Sequence, residues 1–206
     1  MAADGREPVS AAEILPEEAA RADLYDFLSA LLAAPPKREL LARAAALEGD
    51  QTEIGRGIAA LARVAAAASE ESVEREFTEL FIGVGRGELM PYASYYLTGF
   101  LNEKPLALLR DDMRRLGIAR APNVFEPEDN IASLCEMMAG LIRGRFGAPA
   151  PLAEQKTFFN RHLGPWARHF FADLEAARSA VFYAPVGRIG AVFMEIEAEA
   201  FRLVPE

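Results

Sequence analysis

Glu126-Pro127-Glu128-Asp129-Asn130-Ile131-Ala132-Ser133-Leu134-Cys135-Glu136-Met137-Met138-Ala139-Gly140-Leu141-Ile142 is the stretch whose reading decides the fold. Ile131, Leu134, Cys135, Met138, Leu141 and Ile142 recur at spacings of three and four, which makes one apolar stripe along an α-helix. Gly144, Gly147, Pro149 and Pro151 end the run. A short acidic cluster stands ahead of it and has two readings. In the first it starts the helix: Pro127 suits the first turn, Glu128 and Asp129 suit the positive end of the dipole, and Glu126, before a proline, is biased towards extended backbone and suits a cap. In the second, Glu126 and Asp129 offer carboxylates to a guanidinium, which pairs with them through planar, often bidentate hydrogen bonds. The residues alone leave both open.

The helical period extends outward from there. Leu24, Phe27, Leu28, Leu31 and Leu32 predict a helix over about 17–33 that Pro35-Pro36 ends. Ile58, Leu61 and Ala65, in alanine-rich surroundings, mark a second helix. Val73, Phe77, Leu80 and Phe81 mark a third, with Glu70 and Glu71 at its N-terminal end. Gly83, Gly85, Gly87 and Pro91 then make a loop, followed by Tyr92, Tyr95 and Tyr96, three of the five tyrosines. Leu106, Leu109, Met113 and Leu116 define another helix, stopped by Gly117. After the central stretch come Phe158-Phe159-His162-Leu163, then Trp166-Phe170-Phe171-Leu174 with Pro165 at its start, then Ile189 to Leu203. No β alternation and no internal repeat is visible. The expectation is an all-α, single-domain helical bundle over 1–206, with residues 1–15 flexible and a break near 83–125 between two groups of helices.

Composition narrows the function. The net charge of −9 argues against nucleic acid, because phosphate binding needs a basic surface, and it favours basic partners. No apolar run approaches the length of a membrane span, and Met1 to Ala12 lacks the basic and apolar regions of a secretory signal, so the expected location is cytoplasmic. The single cysteine, Cys135, falls on the apolar stripe and rules out an intrachain disulfide. The only histidines, His162 and His169, lack metal-ligand spacing, and His162 suits a hydrogen bond to a backbone carbonyl that pins a turn. Gly83-x-Gly85-x-Gly87 follows a helix and lacks the Lys-Ser/Thr ending of a phosphate loop. No nucleophile motif is present. The expectation is a protein that is not an enzyme and carries no metal and no cofactor.

Three separated segments resemble one family, the TorD/DmsD/NarJ-type chaperones for molybdenum-containing redox enzymes. Glu126-Pro127-Glu128-Asp129-Asn130 resembles the family's Glu-Pro-x-Asp-His signature, with Asn130 in place of the histidine. Phe77-Thr78-Glu79-Leu80-Phe81-Ile82-Gly83, with Pro91-Tyr92-Ala93-Ser94, resembles its aromatic-x-x-Leu-Phe-x-Gly and Pro-Pro-Trp-x-Ser region, with Tyr92 in place of tryptophan. Phe158-x-x-x-His162-Leu163-x-x-Trp166, with Phe182-Tyr183 after it, resembles the C-terminal His-Leu-x-x-Trp element. The resemblance covers roughly residues 20–204.

Membership implies an all-helical cytoplasmic chaperone that binds the twin-arginine signal peptide of an apo-molybdoenzyme and holds it back from export until the cofactor is inserted. The peptide-binding positions it implies are Phe77, Leu80, Phe81, Pro91, Tyr92, Asp129 and Asn130. The bottom-up reading adds Tyr95 and Glu126: Glu126 and Asp129 for the arginines, Phe81, Tyr92 and Tyr95 as a groove for the apolar part. The implied client is a molybdenum or tungsten oxidoreductase of the DMSO-reductase class, and the region Tyr92 to Leu106 is similar to members associated with formate dehydrogenases. The rival readings are a helical adaptor that binds a folded partner, and a bundle enzyme or cofactor carrier. Loops at 83–93 and 117–125 allow either a monomer or a segment-swapped dimer.

Overall fold

The computed structural model describes residues 14–122 and 124–205. The described part is all-α: α1 Pro16–Ala33, α2 Arg38–Ala45, α3 Glu53–Ala67, α4 Glu70–Phe77, α5 Ala93–Thr98, α6 Lys104–Arg115, α7 Ile131–Arg143, α8 Leu152–Phe158, α9 Ala167–Ala176 and α10 Tyr183–Leu203. Strand-like pairing among the described residues is confined to one antiparallel bridge, Tyr92 with Asn130. The flexibility expected for residues 1–15 falls, for 1–13, outside the described residues.

The apolar stripes explain the packing. α7 is buried along most of its length, on the stripe residues and on Met137 and Ala139 as well, and lies against α1. α10 packs on α9 and α3, and α2 on α3. The resulting core is one cluster that runs from Ala22 through Leu80, Met138 and Trp166 to Phe201. Glycine permits the closest helix approach. A Cβ on Gly190 would meet the Phe171 ring at 2.2 Å, and one on Gly187 would meet the α9 backbone, so α10 packs on the bare ring at one glycine and backbone to backbone at the other. Buried polar groups are matched across the same interfaces. Arg21 of α1 clamps Glu197 of α10 through Nε at 2.7 Å and Nη2 at 2.6 Å, and the Tyr25 hydroxyl donates to the same carboxylate at 2.9 Å.

Several elements differ from expectation. α2 and α5 are short, eight and six residues, too brief for a periodic pattern to declare itself. Thr78–Ile82 and Phe159–Leu163 are π-helical turns closed by Gly83 N–H to Thr78 C=O at 2.6 Å and Gly164 N–H to Phe159 C=O at 2.7 Å. Both fall inside segments that carry the family resemblance. Pro165 lies in a turn ahead of α9, which starts at Ala167. His162 bonds a carboxylate rather than a backbone carbonyl: its Nε2 is 2.8 Å from Asp112 Oδ2, and its own carbonyl accepts the Trp166 indole N–H at 2.7 Å. The α6 C-terminus follows expectation, with Gly117 in the left-handed region at φ +69°.

Candidate functional site

The acidic stretch is assembled by two chain segments that cross. The Tyr92–Asn130 bridge is flanked by Ala93 N–H to Asp129 C=O and Ile131 N–H to Pro91 C=O, each 2.9 Å. Residues 91–94 are thereby stitched to the start of α7. Asn130 is the N-cap, its Oδ1 accepting the Ala132 N–H at 2.9 Å. Pro127, Glu128 and Asp129 therefore form a turn before the helix rather than its first turn, closed by Asn130 N–H to Pro127 C=O at 3.2 Å. The cap is Asn130, not Glu126.

Neighbouring residues in this stretch have unlike surroundings. Asp129 is 1% exposed. Its Oδ2 accepts both the Ser94 N–H, at 2.8 Å, and the Ser94 hydroxyl, while Oδ1 is a buried acceptor without a hydrogen-bond donor. Glu126 is exposed and accepts the Tyr92 hydroxyl, and no cation pairs with it among the described residues. Burial, then the hydrogen bond to Glu126, pushes the Tyr92 phenol well above its ordinary range. Glu128 is held by two arginines: Arg110 through Nη2 at 2.8 Å and Nε at 3.1 Å, and Arg120 through Nη2 at 2.9 Å. Burial works against ionisation of Glu128, but the arginine hydrogen bonds outweigh it and hold the carboxyl below its usual range. A cleft of about 500 Å³ lies beside it, lined by Ala107, Arg110, Met113, Arg114, Ile118 and Glu128 among others.

The expected aromatic groove separates into buried and surface parts. Phe77 and Leu80 are buried, and Phe77 and Phe81 stack edge-on at 4.9 Å and both pack on Tyr183, at 6.0 and 5.5 Å. Pro91 is buried beneath the crossing. Phe77, Leu80, Pro91 and Asp129 thus offer no surface to a peptide in this conformation, because the core or Ser94 already covers them; Asn130 is spent on its cap. The half-buried rings Tyr92 and Tyr95 do reach the surface, as does part of Phe81. Arg86 from the glycine-rich loop lies 5.1 Å over the Tyr95 ring and donates to its hydroxyl. Beside Glu126, Phe125 stands 86% exposed, and Val124, Leu97, Phe100 and Leu101 are also exposed apolar side chains. The sequence reading passed over Phe125 and the Arg110–Glu128–Arg120 cluster. An unpatterned phenylalanine in a loop carries no periodic signal, and Arg110 lies 18 residues from its partner.

Two other polar constellations are structural. Glu76 accepts the N–H groups of Val181, Phe182 and Tyr183 at 2.8–3.0 Å, a carboxylate from α4 that caps the start of α10. His162 and Asp112 lie at the junction of α6 with the turn after α8, where Arg161 also holds Asp112, at 2.9 Å. Burial lowers the His162 pKa against the pull of Asp112, and Arg161 and Arg115 add to the lowering. Cys135 is buried, and burial pushes its thiol well above the ordinary range, which makes it inert. Among the described residues no cluster of three or more His, Cys, Asp or Glu side chains is placed to hold a metal ion, and no helix is long and apolar enough to cross a membrane.

Comparison with known proteins agrees with this architecture. A TorD chaperone protein of Aliivibrio fischeri is 27% identical over 202 residues, covering 87% of this chain and 93% of its own. A TorD chaperone protein of Aliivibrio salmonicida is 30% identical over 132 residues, covering 60% of this chain and 61% of its own. A crystal structure of an Archaeoglobus fulgidus protein assigned to redox enzyme maturation superposes with a TM-score of 0.56 at 22% identity, over 92% of this chain and 99% of that one, and so shares the fold. The profile of the family described as nitrate reductase delta subunit matches residues 47–172, which run from ahead of α3 into α9 and include all of the crossing at 91–94 and 126–131. The chain belongs to that family, the NarJ/TorD-type group its sequence resembles.

Proposed function

We propose that this chain is a molybdoenzyme-maturation chaperone that captures the twin-arginine signal peptide of an apo-oxidoreductase in the cytoplasm, before export. The TorD chaperones among its relatives support the chaperone reading. The observation that carries the peptide reading is the exposed edge at the crossing. There the Glu126 carboxylate, joined to the Tyr92 hydroxyl, lies next in the chain to the bare Phe125 ring. A carboxylate acceptor beside an exposed apolar ring matches a ligand that presents guanidinium groups followed by an apolar stretch. Pro91 and Asp129 serve this surface from beneath, by joining the two segments that cross, while Phe77 and Leu80 belong to the core. Tyr92, Tyr95, Phe81 and Glu126 make the contact.

Calorimetric titration with a synthetic twin-arginine signal peptide tests the reading, alongside the same peptide with both arginines changed to alanine. Saturable binding to the first, weakened about tenfold or more in the second, is expected for charge-assisted recognition. Equal binding of both peptides would remove the carboxylates from recognition. Binding of a client that lacks its N-terminal segment, as tightly as the whole client, would favour the adaptor reading instead.

A further inference from the structure

We propose that Glu128 is a guanidinium seat of this surface, and that Arg110 and Arg120 fill it in the unliganded chain, so that an arginine-bearing client segment docks by displacing them. The proposal rests on the peptide-capture reading and deepens it. Neither of its carboxylate neighbours is placed as well. Asp129 is enclosed and spent on Ser94. Glu126 accepts a neutral phenol. Glu128 already receives two guanidinium groups, and all three donor nitrogens converge on Oε2. That is the chemistry a pair of client arginines would bring, and it is met here by the chain itself.

Two further observations point the same way. The resident arginines are only loosely committed: their side chains are 49% and 35% exposed, so water takes over their charge when they leave and the exchange costs little. Arg120 belongs to the link between α6 and α7 and also donates to the Glu126 carbonyl, at 3.2 Å. Its departure therefore frees the link that carries Phe125 and Glu126 as well as the carboxylate.

The test uses the full chain, the twin-arginine peptide, its dialanine version and two variants, Glu128→Gln and Arg110→Gln/Arg120→Gln. Expected is a loss of arginine discrimination by about tenfold in Glu128→Gln, since a neutral amide cannot replace a charge-assisted bond. The double arginine variant is expected to bind the twin-arginine peptide about two- to fivefold more tightly, with unchanged affinity for the dialanine peptide, because an exposed competing pair has been removed. Full discrimination retained by Glu128→Gln would overturn the seat and leave peptide capture standing. Failure of both the wild type and the double variant to bind would overturn both. Hydrogen exchange without any peptide checks the resident arginines independently of client binding. Amides of the link around Arg120 must exchange faster in the double variant, and unchanged rates would overturn the displacement.

Discussion

Replacing Asp129 separates a framework carboxylate from a ligand-contacting one. In Asp129→Ala, the Ser94 N–H and hydroxyl both lose their acceptor at a position that water does not reach. A stranded buried donor costs about 1–3 kcal/mol, and hydrogen bonds to a charged acceptor contribute about 1.5–3 kcal/mol. The orphaned Oδ1 offsets part of this, because removing the carboxylate also removes an unsatisfied buried acceptor. The net expectation is a destabilisation of about 2–4 kcal/mol, which for a chain of this length lowers the melting temperature by roughly 4–16 °C. Asp129→Asn retains one acceptor oxygen and is expected to cost only about 1 kcal/mol.

The assay pairs urea denaturation with peptide titration in Asp129→Asn, Ser94→Ala and the double variant. The stability effects of the two single changes are expected to couple by about 1 kcal/mol, since each removes one side of the same contact. Peptide affinity in Asp129→Asn, measured well below its melting temperature, is expected to stay within about twofold of wild type. An Asp129→Asn protein that melts like wild type but binds the twin-arginine peptide more than about tenfold more weakly would refute the framework role and restore Asp129 as a direct contact.

Other interfaces make separate claims. Glu76→Ala strands three N–H groups at the start of α10 and is expected to cost about 2–3 kcal/mol, with Glu76→Gln costing less; the urea midpoint should fall without a change in slope. Arg21→Ala leaves Glu197 buried, at 1% exposure, without its cation and is expected to cost about 3–5 kcal/mol by the same measurement. His162 should make stability pH-dependent. Its pKa is lowered by folding, so below the unfolded value near 6.5 the unfolded chain takes up the proton more readily. Stability is therefore full above about pH 6.5 and declines as pH falls through and below it, and a His162→Gln protein should lack that component in denaturation series between about pH 5 and 8.

The helical frame was legible because burial imposes a period on long segments. α1, α7 and α10 bury a stripe or more, and the spacings of Leu28, Leu31 and Leu32, of Ile131 to Ile142 and of Ile189 to Phe193 report it directly. α5 escaped notice because six residues make under two turns and only Ala93 and Ser94 are buried. The π-helical turns escaped for a different reason. A register change of one residue depends on which carbonyl each N–H finds, which residue type does not encode; at Thr78–Ile82 it accompanies the packing of Phe77 and Phe81 on each other and on Tyr183. At the candidate site the sequence grouped neighbouring acids that the fold places in unlike surroundings. The capping rules suggested the first helical turn for Pro127, Glu128 and Asp129, yet all three precede the helix, in a turn ahead of the Asn130 cap.

This last difference bears on how the surface works. In a turn, consecutive side chains diverge, so three acids in four positions reach three environments: Glu126 meets solvent and a phenol, Glu128 meets two arginines, and Asp129 turns inward to Ser94. On a helix Glu126 and Asp129, three apart, would share a face and repel each other. Divergence lets one carboxylate hold the crossing while its neighbours turn to the tyrosine and the arginines. It also makes Asn130 suitable where the family pattern has histidine: an N-cap needs a short side-chain acceptor, and the amide oxygen supplies it whatever the pH. The surface charge of this stretch then follows Glu126 and Glu128 alone. The arginines hold the Glu128 carboxyl below its usual range, so peptide capture that depends on it should be flat from about pH 6 to 8. An affinity that changed about tenfold across that range would refute the dependence on Glu128 and point to a surface elsewhere on the molecule.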